Sequence, residues 1–166
     1  MSEYSAKVSW YRGADEAYLD NKYSRGHEWS FDGGTIIPAS SSPLVVPLPY
    51  SLEQNVDPEE AFVASLSSCH MLFFLSIAAN RKYIVDEYVD RPIGIMDSDK
   101  DGKESMIRVT LRPRIKFSGE NQPGFALLEN MHHLAHEQCF IANSVKTEVV
   151  TEILADFDNH SAGMTE

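Results

Sequence analysis

Cysteine is scarce in this chain, with two in 166 residues. That excludes a disulfide-stapled scaffold, and a chain this long needs none, since it can bury roughly 70% of the surface its unfolded form exposes. Positive charge is scarce as well. Fourteen Lys and Arg against 25 Asp and Glu leave a formal net charge of −11, a field that repels phosphate, and no basic cluster offsets it. Nucleic acid and anionic membrane surfaces are therefore not expected as partners. Long hydrophobic runs are missing too. Nowhere do about 18 apolar residues follow one another without interruption, and the opening Met1-Ser2-Glu3-Tyr4-Ser5-Ala6-Lys7 lacks an apolar signal-type segment. A cytoplasmic protein is expected. In a reducing compartment two distant cysteines have three plausible fates: buried thiols, a redox pair or metal ligands.

The rest reads as an α+β chain forming one domain over 1–158, with a flexible C-terminal tail over 159–166. Tyr4, Ala6, Val8 and Trp10 alternate with polar neighbours as in a strand, and His27–Phe31 meets Asp32-Gly33-Gly34 before Thr35-Ile36-Ile37, which signals a hairpin. Residues 38–56 carry four prolines and no helical period, so they read as an ordered but irregular connection. The clearest helix start follows. Asp57 caps, Pro58 suits the first helical position and Glu60 completes a capping box, opening a helix to about Asn80 that is apolar on nearly every face. Such a helix is expected to be the buried centre of the fold, with Cys69 in its middle. A β pair comes next, Tyr83–Met96 with Met106–Phe117, one face apolar and the other basic. Its turn, Asp97 to Gly102, resembles the first half of a calcium loop, but Arg108 stands where the bidentate Glu would be required, so a hairpin turn is the reading. A second helix is expected from Pro123 to Gln138, with Cys139 just past its end, and a final strand from Val145 to Ala155. If the two long helices pack together, their cysteines can meet.

Two neighbourhoods then resemble a known family. Asp57-Pro58-Glu59-Glu60-Ala61-Phe62 followed by Ser67-Ser68-Cys69-His70, and later Cys139 with Asn143-Ser144-Val145-Lys146, are similar to the OsmC/Ohr family, osmotically inducible protein C and the organic hydroperoxide resistance proteins. The order of elements resembles it over nearly the whole chain. The resemblance implies an OsmC-like fold, with antiparallel strands around a long central buried helix and a second helix, built as an intertwined homodimer. It implies a thiol peroxidase acting in oxidative-stress defence, with Cys69 peroxidatic, Cys139 resolving, and Glu59 and an arginine organising the thiolate. Arg25 is the arginine chosen, with Arg12 as substitute, because residues 43–56, where some members carry theirs, contain none. Phe140 is a second departure, standing where the family usually has Pro. The aromatic and acidic stretch near the N-terminus points to a divergent branch, whose substrate need not be the usual one.

The chemistry explains why such residues are needed. A thiol of ordinary pKa near 8.5 is only a few per cent thiolate at pH 7. Cys69 lies beyond the first helical turn, where the helix dipole would help, so an arginine is the natural stabiliser and Glu59 its orienting partner. Ten helical residues span about 15 Å, so Glu59 and Cys69 of one helix do not reach one arginine together. Glu59 and Arg25 are accordingly expected from the partner of a homodimer, with the active sites at the subunit interface. The expected substrate is an organic hydroperoxide, alkyl or lipid given Phe62, Met71, Leu72 and Phe73, and the expected reductant is an external dithiol such as one of lipoyl type, with no bound cofactor or metal. Two other readings stand beside this one. The fold could serve as a small-molecule or thiol-conjugate binding module, or His132, His136 and Cys139 could hold a metal, although histidines on an acidic protein are expected to face solvent. His70, turned about 100° from Cys69, is read as a packing or interface residue.

Overall fold

A computed structural model of the chain describes residues Met1–Ile153. The expected tail over 159–166 and the end of the expected last strand, Leu154 and Ala155, lie outside the described residues. Among the described residues of the expected domain, contacts gather into two units that divide between Phe62 and Val63.

In the first unit, strands β1 (Ala6–Ser9), β2 (His27–Phe31) and β3 (Ile36–Ala39) form an antiparallel sheet in that order. The Asp32-Gly33-Gly34 signal makes the expected hairpin. Phe31 N–H donates to Thr35 O at 3.0 Å, and Gly34 takes φ +85, which a residue without Cβ adopts at little cost. The irregular connection is ordered, as expected, because its backbone is satisfied locally. Ser40 N–H donates to Val56 O at 3.0 Å, Leu52 N–H to Ser40 Oγ at 2.9 Å, and Arg25 N–H to Tyr50 O at 2.8 Å.

Helix α1 runs Pro58–Asn80, as its capping signals predict. Asp57 Oδ1 accepts from Glu60 N–H at 2.7 Å and Glu60 Oε2 accepts from Asp57 N–H at 3.4 Å, a reciprocal capping box. Burial differs from the expectation. Only Leu66, His70, Phe74 and Ala78 are fully buried, a single i, i+4 stripe, while Leu72 is 60% exposed. One chain covers one face of a helix whose other faces are equally apolar. With a mean hydropathy of 1.8, α1 is also long and apolar enough to cross a membrane by length and composition, a test that core helices of soluble proteins also pass.

In the second unit the expected β pair forms, but as two short ladders. β4 (Ile84–Val89) pairs with β7 (Arg114–Ser118), and β5 (Ile93–Ser98) pairs with β6 (Glu104–Leu111). The break falls at Asp90-Arg91-Pro92 on one arm and Arg112-Pro113 on the other, since neither proline can donate to a ladder. The Asp97–Gly102 segment is a hairpin turn, with Asp99 Oδ1 accepting from Asp101 and Lys103 N–H and Gly102 at φ +74. Helix α2 runs Phe125–Gln138, starting two residues later than expected, with Gly124 at its N-cap. The last strand, β8 (Glu148–Thr151), lies parallel to β6, so one pair of this sheet is not antiparallel. That pairing balances the basic face of β6. Arg108 meets Glu148 at 2.7 Å and Arg112 meets Glu152 at 2.8 Å. The two long helices pack as expected, through Phe74 and Ala78 of α1 and Met131 and Ala135 of α2.

Candidate functional site

Helix packing in the second unit brings the two cysteines together. Cys69 is half-buried at the middle of α1, and Cys139, fully buried, caps the C-terminus of α2. The cap fixes its sulfur. Cys139 N–H donates to His136 O at 3.2 Å, Asn143 N–H donates to Cys139 O at 3.0 Å, and Ala142 N–H points to Cys139 Sγ at 3.4 Å. Both thiols are free. Burial first, and then a hydrogen bond to the Cys69 sulfur, push the Cys139 thiol up to about 11. Cys139 therefore holds its proton and shares it with Cys69. Phe140, standing where proline was expected, meets Phe73 edge-on at 5.1 Å and 90°.

The histidines next to these cysteines depart from the sequence reading. His132 is not solvent-facing; it is 2% exposed, and its Nδ1 lies 3.0 Å from Nε2 of His70, itself 1% exposed. The rings stack at 5.3 Å, and Phe74 stacks on His132 at 4.4 Å. Burial, followed by the charge of His136, pulls His70 down to about 4; burial, followed by His70, pulls His132 down to about 3. Both rings are neutral at ordinary pH, one donating to the other. The outer nitrogens, His70 Nδ1 and His132 Nε2, are buried without a partner. Among the described residues no group of three or more His, Cys, Asp or Glu could hold an ion, so His132, His136 and Cys139 are not gathered into such a cluster. His70 does act in packing. The missed signal was its place in the apolar i, i+4 stripe of α1, opposite the Met131 and Ala135 stripe that carries His132.

The charged candidates belong to the first unit. Arg25 and Glu59 line one cavity of about 440 Å³, together with Trp10, Tyr18, Tyr23 and His27. No ion pair joins them. The Arg25 guanidinium donates to Asn21 Oδ1 at 2.8 Å, also donates to the Asn21 and Tyr23 carbonyls, and lies 3.7 Å over the Tyr23 ring. Glu59 Oε2 is buried and has no hydrogen-bond partner. Arg12 instead closes a local turn, donating to the carbonyls of Gly13 and Glu16. Of the two arginine candidates, Arg25 is thus the one that shares a cavity with Glu59.

Comparison with known proteins agrees with this architecture. The sequence model of the family described as OsmC-like protein matches residues 52–154. The chain belongs to the OsmC-like protein family. An OsmC-like protein of unknown function from Vibrio cholerae is 62% identical, with a TM-score of 0.92 over 93% of this chain and 100% of that one. An organic hydroperoxide resistance protein from Elizabethkingia anophelis shares the fold at 14% identity, with a TM-score of 0.65 over 92% and 94% of the two chains. The organic hydroperoxide resistance protein OhrB of Bacillus subtilis does so at 16% identity, with a TM-score of 0.61 over 91% and 98%. Among curated proteins none matches. The OsmC/Ohr resemblance and the α+β, OsmC-like fold read from the sequence are thereby established.

Proposed function

We propose that this OsmC-like protein is a cysteine-based peroxidase that reduces organic hydroperoxides in the cytoplasm as part of oxidative-stress defence. The observation that carries the reading is the asymmetric thiol pair, in which a half-buried Cys69 is hydrogen-bonded to a buried Cys139 whose own ionisation is suppressed. The accessible sulfur is the nucleophile and the protonated one waits behind it.

In the first step the Cys69 thiolate attacks the outer peroxide oxygen. The S–O bond forms as the O–O bond breaks; the alkoxide leaves with the electron pair and takes a proton, giving alcohol and a Cys69 sulfenic acid. Cys139 then loses its proton as its sulfur attacks the sulfenic sulfur; the S–S bond forms as the S–O bond breaks, and the departing hydroxyl takes that proton and leaves as water, closing a Cys69–Cys139 disulfide. An external dithiol, for which a lipoyl type is proposed, reduces this disulfide in two exchanges and leaves as its own disulfide. Arg25 and Glu59 of a partner chain complete the site in a homodimer, because Glu59 and Cys69 of one α1 are about 15 Å apart along the axis. Arg25 would there balance the thiolate and the departing alkoxide, and the orphaned Glu59 oxygen would orient it.

Hydroperoxide consumption with dihydrolipoyl and monothiol reductants tests this reading. Cys69→Ser is expected to abolish turnover, and Cys139→Ser to stop at a trapped sulfenic acid detectable by dimedone. Mixing inactive Cys69→Ser and Arg25→Ala chains is expected to restore about one quarter of wild-type activity, since half of randomly formed dimers contain one intact composite site. Absence of any turnover would favour a binding module. A mixture that stays inactive would remove the composite site.

A further inference from the structure

Near the N-terminus, Trp10, Tyr18, Tyr23 and Arg25 line one side of the cavity in the first unit. Tyr18 and Tyr23 stack at 4.7 Å and 26°, and Trp10 meets Tyr23 edge-on at 5.4 Å and 65° and Tyr18 at 6.0 Å. The wall is pinned. Trp10 Nε1 donates to Ser24 O at 2.8 Å, Ser24 N–H donates to Glu16 Oε1 at 2.6 Å, and the Arg25 guanidinium covers one face of Tyr23. Yet Trp10 is 37% and Tyr18 50% exposed, so aromatic surface remains open while its geometry is fixed. Glu59 lines the same cavity, and its Oε2 is buried without a hydrogen-bond partner.

We propose that this wall is a subsite for a flat aromatic group and that the substrates of the protein are aryl-bearing hydroperoxides. The reaction rests on the peroxidase reading above, whereas the aryl subsite rests on the rings alone. Three rings in mixed stacked and edge-on orientation offer faces and edges to a fourth ring, an interaction that adds to simple burial. A linear acyl chain gains burial only, and it loses more rotational freedom when ordered. At the other end of the substrate, the O–H of a hydroperoxide is a donor for Glu59 Oε2. In the proposed homodimer, ring to wall and –OOH to Glu59 and Arg25 would fix which oxygen is presented to Cys69 of the partner subunit. The products are an aryl-bearing alcohol and the Cys69 sulfenic acid, with the same atom and electron balance as above.

The test compares kcat/KM for cumene hydroperoxide with that for n-nonyl hydroperoxide, alongside calorimetric binding of 2-phenyl-2-propanol and 1-nonanol to Cys69→Ser protein. Wild type is expected to favour the aryl peroxide about tenfold, the factor given by ~1.4 kcal/mol, within the range of one good aromatic contact. Tyr18→Leu should bring this ratio towards one, and Tyr18→Phe, which keeps the ring and guards against a folding artefact, should restore it. Turnover of both peroxides at equal efficiency, or a ratio that Tyr18→Leu leaves unchanged, overturns the aryl subsite and spares the peroxidase reading. Aryl-selective binding without turnover of either peroxide keeps the subsite and overturns the reaction.

Discussion

The buried pair of His70 and His132 makes a quantitative prediction about stability and pH. In the unfolded chain both rings titrate near 6.5, whereas in the folded protein they titrate near 4 and 3. Because both folded values are depressed, the unfolded state binds more protons between these limits. Stability is then complete above about pH 6.5 and is lost as pH falls towards the folded values. Each ring contributes about 1.36 kcal/mol per pH unit inside this window, so the two together give about 2.7 kcal/mol per unit. From pH 7 to 5 the loss is about 3 to 4 kcal/mol, a large share of the 5 to 15 kcal/mol that holds a typical domain together.

Urea unfolding followed by circular dichroism across pH 5 to 7 would measure the slope. A His70→Gln/His132→Gln variant keeps hydrogen-bonding groups in both positions but cannot titrate, so its stability should be nearly flat over this range, apart from ordinary carboxylate and surface-histidine effects. Proton NMR of the folded protein adds a direct check. If the two imidazoles titrate near 6.5, or if the double variant keeps the wild-type slope, the physical account of this pair is wrong.

Two stability predictions follow from local geometry. Asp57→Ala removes the side chain that accepts from Glu60 N–H and should lower stability by about 1 kcal/mol in denaturant titration, whereas Asp57→Asn should lose only a fraction of that. A Cβ on Gly94 would stand 2.6 Å from both Met106 Sδ and Val63 Cγ2. Met106 can bend away but the branched Val63 cannot easily, so Gly94→Ala should cost about 1 to 3 kcal/mol, read as a fall of several degrees in melting temperature; an unchanged melting temperature would show that the strand shifts freely.

Local signals carried much of the fold. Asp57, Pro58 and Glu60 specified the start of α1 because capping is a contact within four residues, and Asp32-Gly33-Gly34 specified its hairpin for the same reason. The break in the long β pair was less visible, since apolar alternation continues on both sides of Pro92 and Pro113 and only their placement opposite one another splits the ladder. The parallel pairing of β8 with β6 has no local signature at all. Nothing near Glu148 announces that Arg108, forty positions earlier, will stand beside it. The site was legible in the same graded way. Cys69 and Cys139 could be paired because two long apolar helices in a small chain have few alternatives to packing together. The His70–His132 bond escaped because each histidine was weighed by its own polarity, whereas burial was decided by the stripe it occupied. The cavity wall escaped because Trp10, Tyr18 and Tyr23 are spaced by loop geometry, which follows no period.

Helix α1 raises the remaining question, because its composition and its burial disagree. Four positions on one stripe are buried, yet Leu72 on another face is 60% exposed in a segment of mean hydropathy 1.8. An isolated chain would leave this apolar surface in water, at roughly 25 cal/mol for each Å². Lipid is a poor remedy, since α1 is tied by polar contacts to folded elements, Ser67 Oγ to Asp90 and His70 to His132. A second copy of the chain is a better one. It would cover the open faces of α1 with surface of the same kind, and it would bring the second Glu59 and Arg25 that the proposed peroxidase site of Cys69 needs. The homodimer proposed for catalysis would thus also answer the open apolar area of α1, and complementation between inactive chains tests it.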